Sequence, residues 1–283
     1  MEPQPNEVPN EAASTMTNEA AGLGLSIVVP AYNEARRLAG TLPRVIEYAR
    51  RLAEPVEVIL VDDGSVDGTS DVATSIGRAS GLLTVLRIDQ NRGKGAAVRR
   101  GMLAARFGHV LFTDADMSTP IEETGKLRAA LAGGADVAIG SRRLARSDVQ
   151  VHQPWLRDLA GRTFSGLVSL LLVPGVRDSQ CGFKAFHRAV AREVFGRQRL
   201  EGFGFDAEVL WLTRRLGYRV AEVPIVWRDD SRSNVRLFRD SGGMLLDLGR
   251  VRLNAWRGRY PLPRSGSSPP SEPSRERPGP AGR

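Results

Sequence analysis

The chain has 283 residues with 40 basic and 32 acidic side chains, a formal net charge of +8, one cysteine and three histidines. That length suits one large domain or two small ones, the lone cysteine excludes an internal disulfide, and so few Cys and His residues argue against a structural zinc site. Only Lys94, Lys126 and Lys184 among the basic residues are lysines, so the basicity is an arginine bias that favours anionic partners without specifying one.

Residues 1–22 carry Glu2, Glu7, Glu11 and Glu19, no basic residue and little to bury, and read as a disordered tail with no signal-peptide pattern. LSIVVPAY (25–32) is a β-branched run stopped by Pro30, a buried strand. TLPRVIEYARRLA (41–53) predicts a helix with Thr41 as N-cap and Pro43 in its first turn. Strand and helix then alternate: strands over 56–63, 82–89, 109–116 and 135–142, and helices after 68, over 94–107 and after 120. The strands are apolar throughout instead of alternating, which predicts a mostly parallel sheet covered by helices on both faces.

After residue 150 the alternation ends. WLRDLAGRTFSGLVSLLL (155–172) reads as an amphipathic helix, DSQCGFKAFHRAV (178–190) as a turn and helix, and EGFGFDAEVLWLTRRLG (201–217) as a loop and helix. YRVAEVPIVWR (218–228) reads as a strand, and a last helix covers 240–257. The longest apolar run, 164–173, is half of the about 20 residues that spanning a bilayer needs. Residues 261–283 are rich in Pro, Ser and Arg and read as a second disordered tail, leaving one α/β domain over 23–260.

Ligands of an open parallel sheet sit beyond the carboxyl ends of its strands. The residues there are Tyr32, Asn33 and Glu34, then Asp62 and Asp63, Asp89, Asp114 and Asp116, and Ser141 and Arg142. Clustered carboxylates repel, so a cation or a hydrogen-bonding ligand is the natural compensation. TDADMSTP (113–120) admits three readings: a solvated turn, a site for Mg²⁺ or Mn²⁺, or a phosphotransferase nucleophile. A calcium loop fails, because counting from Asp114 the sixth residue is Thr119, not Gly, and the twelfth is Gly125, not Glu. VDDGSVDGT (61–69) is turn chemistry, and NRGKGAAVRRG (91–101) sets Gly93, Lys94 and Gly95 at a helix start suited to phosphate. The latter lacks the Walker spacing, and no G-x-G-x-x-G follows the first strand.

The ordered series VVPAYNE, VDDGSVDGT, NRGKGAAVRRGM, TDADMSTP, GSR, DSQCGFKAF and FGFDAEVLW resembles the family 2 glycosyltransferases of GT-A fold, over about residues 25–245. Within that family it is similar to the polyprenyl- and dolichyl-phosphate β-glucosyltransferase branch, with DADMSTP and QCGFKAF setting it apart from the mannosyl branch. The resemblance implies an inverting hexosyltransferase, moving glucose from UDP-glucose onto a polyprenyl phosphate with Mg²⁺ or Mn²⁺. Pro30, Tyr32, Glu34, Asp63, Lys94 and Asp114 would bind the nucleotide sugar, and Asp114 and Asp116 the metal. Arg142 and Arg157 would meet the acceptor phosphate, and Asp206 and Asp178 would be the catalytic candidates. SRSNV puts Asn234 where the family often has the lysine of GSK, with Arg232 or Arg236 as substitutes.

The implied location is peripheral, on the cytoplasmic face of a membrane, through the 155–173 helix and the basic stretch GRVRLNAWRGRYPLPR, with no nucleic-acid partner. A related transferase using GDP-mannose or a soluble acceptor is the alternative within the family. A phosphohydrolase would instead trap an aspartyl phosphate on Asp114, and a non-catalytic nucleotide-sugar-binding protein would bind UDP without turnover.

Overall fold

The computed structural model describes residues 24–78, 80–151, 163, 165–228 and 237–261. The expected tail over 1–22, residue 23, residues 262–283 of the other tail, Arg157, and the segment with Arg232, Asn234 and Arg236 lie outside the described residues.

In chain order the elements begin with β1 (Leu25–Ala31), α1 (Ala35–Arg51), β2 (Val56–Asp62), α2 (Thr69–Arg78), β3 (Leu83–Arg87), α3 (Lys94–Ala104) and β4 (His109–Thr113). A single 3₁₀ turn (Ile121–Glu123) then leads into α4 (Thr124–Ala132), β5 (Val137–Ser141) and β6 (Asp148–Val151). After a helical stretch at 165–171 come β7 (Phe183–His187), α5 (Arg188–Arg197), α6 (Phe205–Arg215), β8 (Val220–Pro224), β9 (Val226–Arg228) and α7 (Leu237–Trp256). Seven strands form one sheet in the order β3-β2-β1-β4-β7-β5-β8, parallel except for β7, which runs antiparallel to both β4 and β5. The expected mostly parallel sheet with helices on both faces is the observed architecture.

Every residue of β1 and β2 is buried, as an interior strand covered on both faces must be. Alternate side chains feed two cores, a consequence of the two-residue period of a strand. Val28, Ile59, Val61, Val110 and Phe112 pack under α3, α5, α6 and α7, while Leu25, Ile27, Val29, Val58 and Leu60 pack under α1, α2 and α4.

Three expectations are corrected. α1 starts at Ala35, so Thr41 is inside the helix with its hydroxyl donating to the Arg37 carbonyl at 3.1 Å, and Pro43 is internal. The chain turns directly from β1 into α1 because the loop between them is pinned by the loop after β2, as described below. FKAFH forms the central strand β7, not a turn and helix; a five-residue apolar run has no periodicity long enough to distinguish the two. The single strand expected over 218–228 is two, with β8 in the main sheet and β9 pairing β6 in a separate ribbon.

Candidate active site

The carboxyl end of β1 is shaped by hydrogen bonds to the β2–α2 loop. Asn33 adopts a left-handed conformation (φ 53°), which Asn tolerates better than most residues. Its N–H donates to Ser65 Oγ at 2.9 Å and its Oδ1 accepts from the Val66 N–H at 3.0 Å, while the Glu34 N–H donates to Thr69 Oγ1 at 2.9 Å. This geometry leaves Tyr32 43% exposed at the rim, with Pro30 buried behind it in β1 and Glu34 ion-paired to Arg37.

At the end of β2, Asp63 accepts from the backbone N–H groups of Arg92 at 3.0 Å and Gly93 at 2.7 Å. Burial raises its carboxyl above the ordinary value although these two bonds favour the charged form. The bonds tie β2 to the turn that starts α3, and so place Lys94. Lys94 Nζ reaches Asp114 Oδ1 at 2.6 Å across the β4 edge. Burial favours a neutral amine, but Asp114, Asp206 and Asp116 together outweigh it and hold the lysine above its usual range, fully charged.

Asp114 follows β4 directly. Its N–H donates to the Gly182 carbonyl at 3.2 Å, and Gly182 must lack a side chain, since a Cβ there would lie 2.0 Å from Asp114 Oδ2. Met117, with φ 52°, completes a tight turn whose N–H donates to the Asp114 carbonyl at 3.1 Å. Ser118 N–H caps Asp116 Oδ1 at 2.9 Å, and burial next to Asp114 raises the Asp116 carboxyl. Asp114 and Asp116 line one pocket with Thr113, Ser118, Thr119, Gly182 and Trp227. Two carboxylates opening into one pocket, one of them hard to ionise beside the other, form the oxygen donor set that Mg²⁺ or Mn²⁺ accepts while keeping sites for water and phosphate. The residues present fit such an ion.

Two buried ion pairs flank this pocket. Lys184, fully buried on β7, donates to Asp206 at the start of α6 and to the Cys181 carbonyl at 2.5 Å, with its ammonium 5.2 Å from the Phe112 ring centroid. Arg142, at the end of β5, clamps Asp178 with Nε to Oδ2 and Nη2 to Oδ1, both 2.7 Å, and its own N–H adds a third bond of 2.9 Å. Burial opposes ionisation of Asp178, but the Arg142 charge and its hydrogen bonds hold the carboxyl below the ordinary range. Arg142 also stacks 5.3 Å from the ring centroid of Trp227, which lines the pocket. The sites expected from sequence therefore gather along one edge: Tyr32, Glu34 and Asp63 on one flank, Lys94, Asp114 and Asp116 centrally, and Asp206 with the Arg142–Asp178 pair beyond β7.

Sequence reasoning gave no role to Lys184, Gly182 or Trp227. The first two stand in the quoted CGFK motif, and only the antiparallel insertion of β7 shows what they touch. It also passed over Ser179 and Gln180, whose Oγ and Nε2 are buried beside this cluster without a hydrogen-bond partner among the described residues.

The sequence profile of Glycosyl transferase family 2 matches residues 26–195, and the chain belongs to that family, as a glycosyltransferase. Dolichyl-phosphate beta-glucosyltransferase of Drosophila melanogaster is 37% identical over 233 residues, covering 78% of this chain and 72% of the relative. The human protein of the same name is 34% identical over 250 residues, covering 82% and 77%. Among solved structures, glucosyl-3-phosphoglycerate synthase from Mycobacterium tuberculosis in complex with Mn²⁺, UDP and glucosyl-3-phosphoglycerate superposes with a TM-score of 0.57 at 21% identity, covering 94% of this chain and 88% of that one. Mannosyl-3-phosphoglycerate synthase from Rubrobacter xylanophilus gives 0.59 at 19% identity, covering 90% and 81%. These two share the GT-A fold, as the sequence resemblance implied.

Proposed function

We propose that this glycosyltransferase moves glucose from UDP-glucose onto a dolichyl or other polyprenyl phosphate, with inversion at the anomeric carbon, at the cytoplasmic face of a membrane. The observation that carries the reading is the pocket holding Asp114 and Asp116 with Lys94 locked onto it, in a chain 37% identical to a dolichyl-phosphate beta-glucosyltransferase.

Tyr32 and Asp63 flank the nucleoside, where Asp63 keeps lone pairs for a ring N–H beyond the two bonds it already accepts; Pro30 and Glu34 shape that wall. Asp114 and Asp116 would hold Mg²⁺ or Mn²⁺ against the diphosphate. When bound, such an ion neutralises negative charge as the diphosphate departs. Lys94 pairs with Asp114 and adds a positive charge near the phosphates. In the transfer, an oxygen of the acceptor phosphate attacks the anomeric carbon, the bond from that carbon to the diphosphate breaks, and UDP leaves.

A phosphate monoester, with a second pKa of about 6, is mostly dianionic at neutral pH. It therefore requires approach and alignment more than a strong base. Asp206 and Asp178 suit that need as positioning residues, since each carboxylate is committed to a cation, Lys184 or Arg142. Arg142 presents positive charge beside the pocket for the acceptor phosphate, and Arg157 is assigned the same role from sequence.

Purified protein incubated with UDP-[¹⁴C]glucose, Mg²⁺ and dolichyl phosphate should yield a lipid-extractable, acid-labile product. Asp116→Asn should lower its rate about a hundredfold or more, given what loss of a charge-stabilising group costs. Transfer only from GDP-mannose, or only to a soluble phosphorylated acid, would replace the substrate assignment. Phosphate release without sugar transfer would overturn it.

A further inference from the structure

We infer that the C-terminal half of α7, with the adjoining end of the 165–171 helix, is a docking surface for an anionic lipid bilayer. The inference rests on the proposed lipid acceptor for its purpose, though not for its physical argument.

α7 carries two apolar stripes. Leu248 and Val251 are buried against α6, where Tyr260 stacks on Trp211 at 5.2 Å and donates its hydroxyl to Glu208. On the other side Leu245, Leu246, Leu253 and Trp256 are exposed, Leu246 by 66% and Trp256 by 83%. At about 100° per residue these four fall within about 100° of arc, opposite the buried stripe. Arg252 donates to the Leu171 carbonyl, which joins this face to Leu170 and Leu171, exposed by 76% and 43%. Arg250, Arg252 and Arg257, all exposed, stand at the margins of these apolar residues.

The composition decides the occupant. Leucines with a terminal Trp, edged by arginines, suit the headgroup–acyl boundary of an anionic membrane. A two-fold pairing of this face with a second copy would bring the arginine margins of both copies together, with Asp247 offsetting only Arg250. The buried face of the same helix reaches the start of α6. Asp247, between Leu246 and Leu248, packs so tightly on Gly204 that a Cβ there would lie 2.5 Å from Asp247 Cβ, and Asp206 is two residues further on. A membrane on the opposite, exposed face of the helix would lie one helix diameter, about 10 Å, from that end of α6.

Flotation of the full chain with phosphatidylglycerol–phosphatidylcholine vesicles free of any polyprenyl phosphate tests this. Binding is expected, with about a tenfold loss in Leu246→Glu/Trp256→Glu and a comparable loss on charge reversal in Arg250→Glu/Arg257→Glu. Pure phosphatidylcholine should retain much less protein, as should high salt. Calorimetric UDP uptake and circular dichroism should match the unmodified chain in both variants, which separates lost docking from lost folding. Equal binding of all variants, equal binding to neutral vesicles, or a dimer in buffer that Leu246→Glu/Trp256→Glu dissociates would overturn the proposal. Vesicle binding without glucose transfer would leave this inference standing and remove the substrate assignment; transfer without vesicle binding would do the reverse.

Discussion

Gly182 has no side chain because the Asp114 carboxylate occupies the space that one would fill. Gly182→Ala must therefore push Asp114 out of the pocket while leaving the β7 ladder intact. Transfer is expected to fall about a hundredfold with little change in melting temperature, because ångström-scale misplacement in a preorganised site costs that much. Lys184 behaves differently, since it is buried and its charge is matched by Asp206. Lys184→Met strands a carboxylate in the core and should cost about 3–5 kcal/mol in urea unfolding, most of it recovered in Lys184→Met/Asp206→Leu. A recovered stability without recovered activity would separate the structural from the positioning role of this pair. Residue types at this scale were readable in the sequence: Asp63, Lys94, Asp114 and Asp116 stand out as strand-end or helix-start polar groups. Their mutual pairings were not, because an ion pair such as Lys94–Asp114 joins residues that adjacency never brings together.

Among the elements, the parallel strands were legible since each is an unbroken apolar run ended by an acidic or turn residue. β7 was not. FKAFH is too short to carry a period, and a lysine is uncommon in a central strand; this one is buried with Asp206, arriving from α6, to meet it. The Arg142–Asp178 clamp fastens the end of β5 to the loop leading into β7. Because the Arg142 charge outweighs burial and keeps the Asp178 carboxyl low, the clamp stabilises above the unfolded value of about 3.9 and is lost as pH falls through the lower folded value. Arg142→Met should thus cost about 3–5 kcal/mol at pH 7, and should flatten the steep loss of stability that the unmodified chain shows in strong acid. Denaturant titrations of both proteins at a series of acidic pH values would measure it.

For the molecule as a whole, the two ends of β4 have separate tasks. Asp114 follows its carboxyl end; at the other end His109 pairs in register with His187 of β7, the rings 5.1 Å apart. Burial, then His187 and Arg128, lower the His109 pKa to about 4. The unfolded chain takes up this proton near pH 6.5 and the folded one does not, so stability is expected to decline as pH falls from about 6.5 towards 4. His109→Gln should blunt that decline in thermal melts and leave transfer at pH 7 unchanged, since the substitution is remote from the pocket. Overall architecture was accessible from composition and alternation alone. The second ribbon of β6 and β9 was not, because its partners are set by where the chain bends at Ile225 and not by a local pattern.

The reversed strand β7 also constrains how the protein can come into being. During vectorial synthesis β1 to β5 emerge first, yet β4 and β5 cannot be joined until Phe183–His187 slides between them. The same insertion delivers Gly182 to Asp114 and Lys184 to the place that Asp206 will fill. Closing the sheet and assembling the candidate active-site edge are thus a single event, and a nascent fragment that stops short of it holds neither a finished core nor the complete edge.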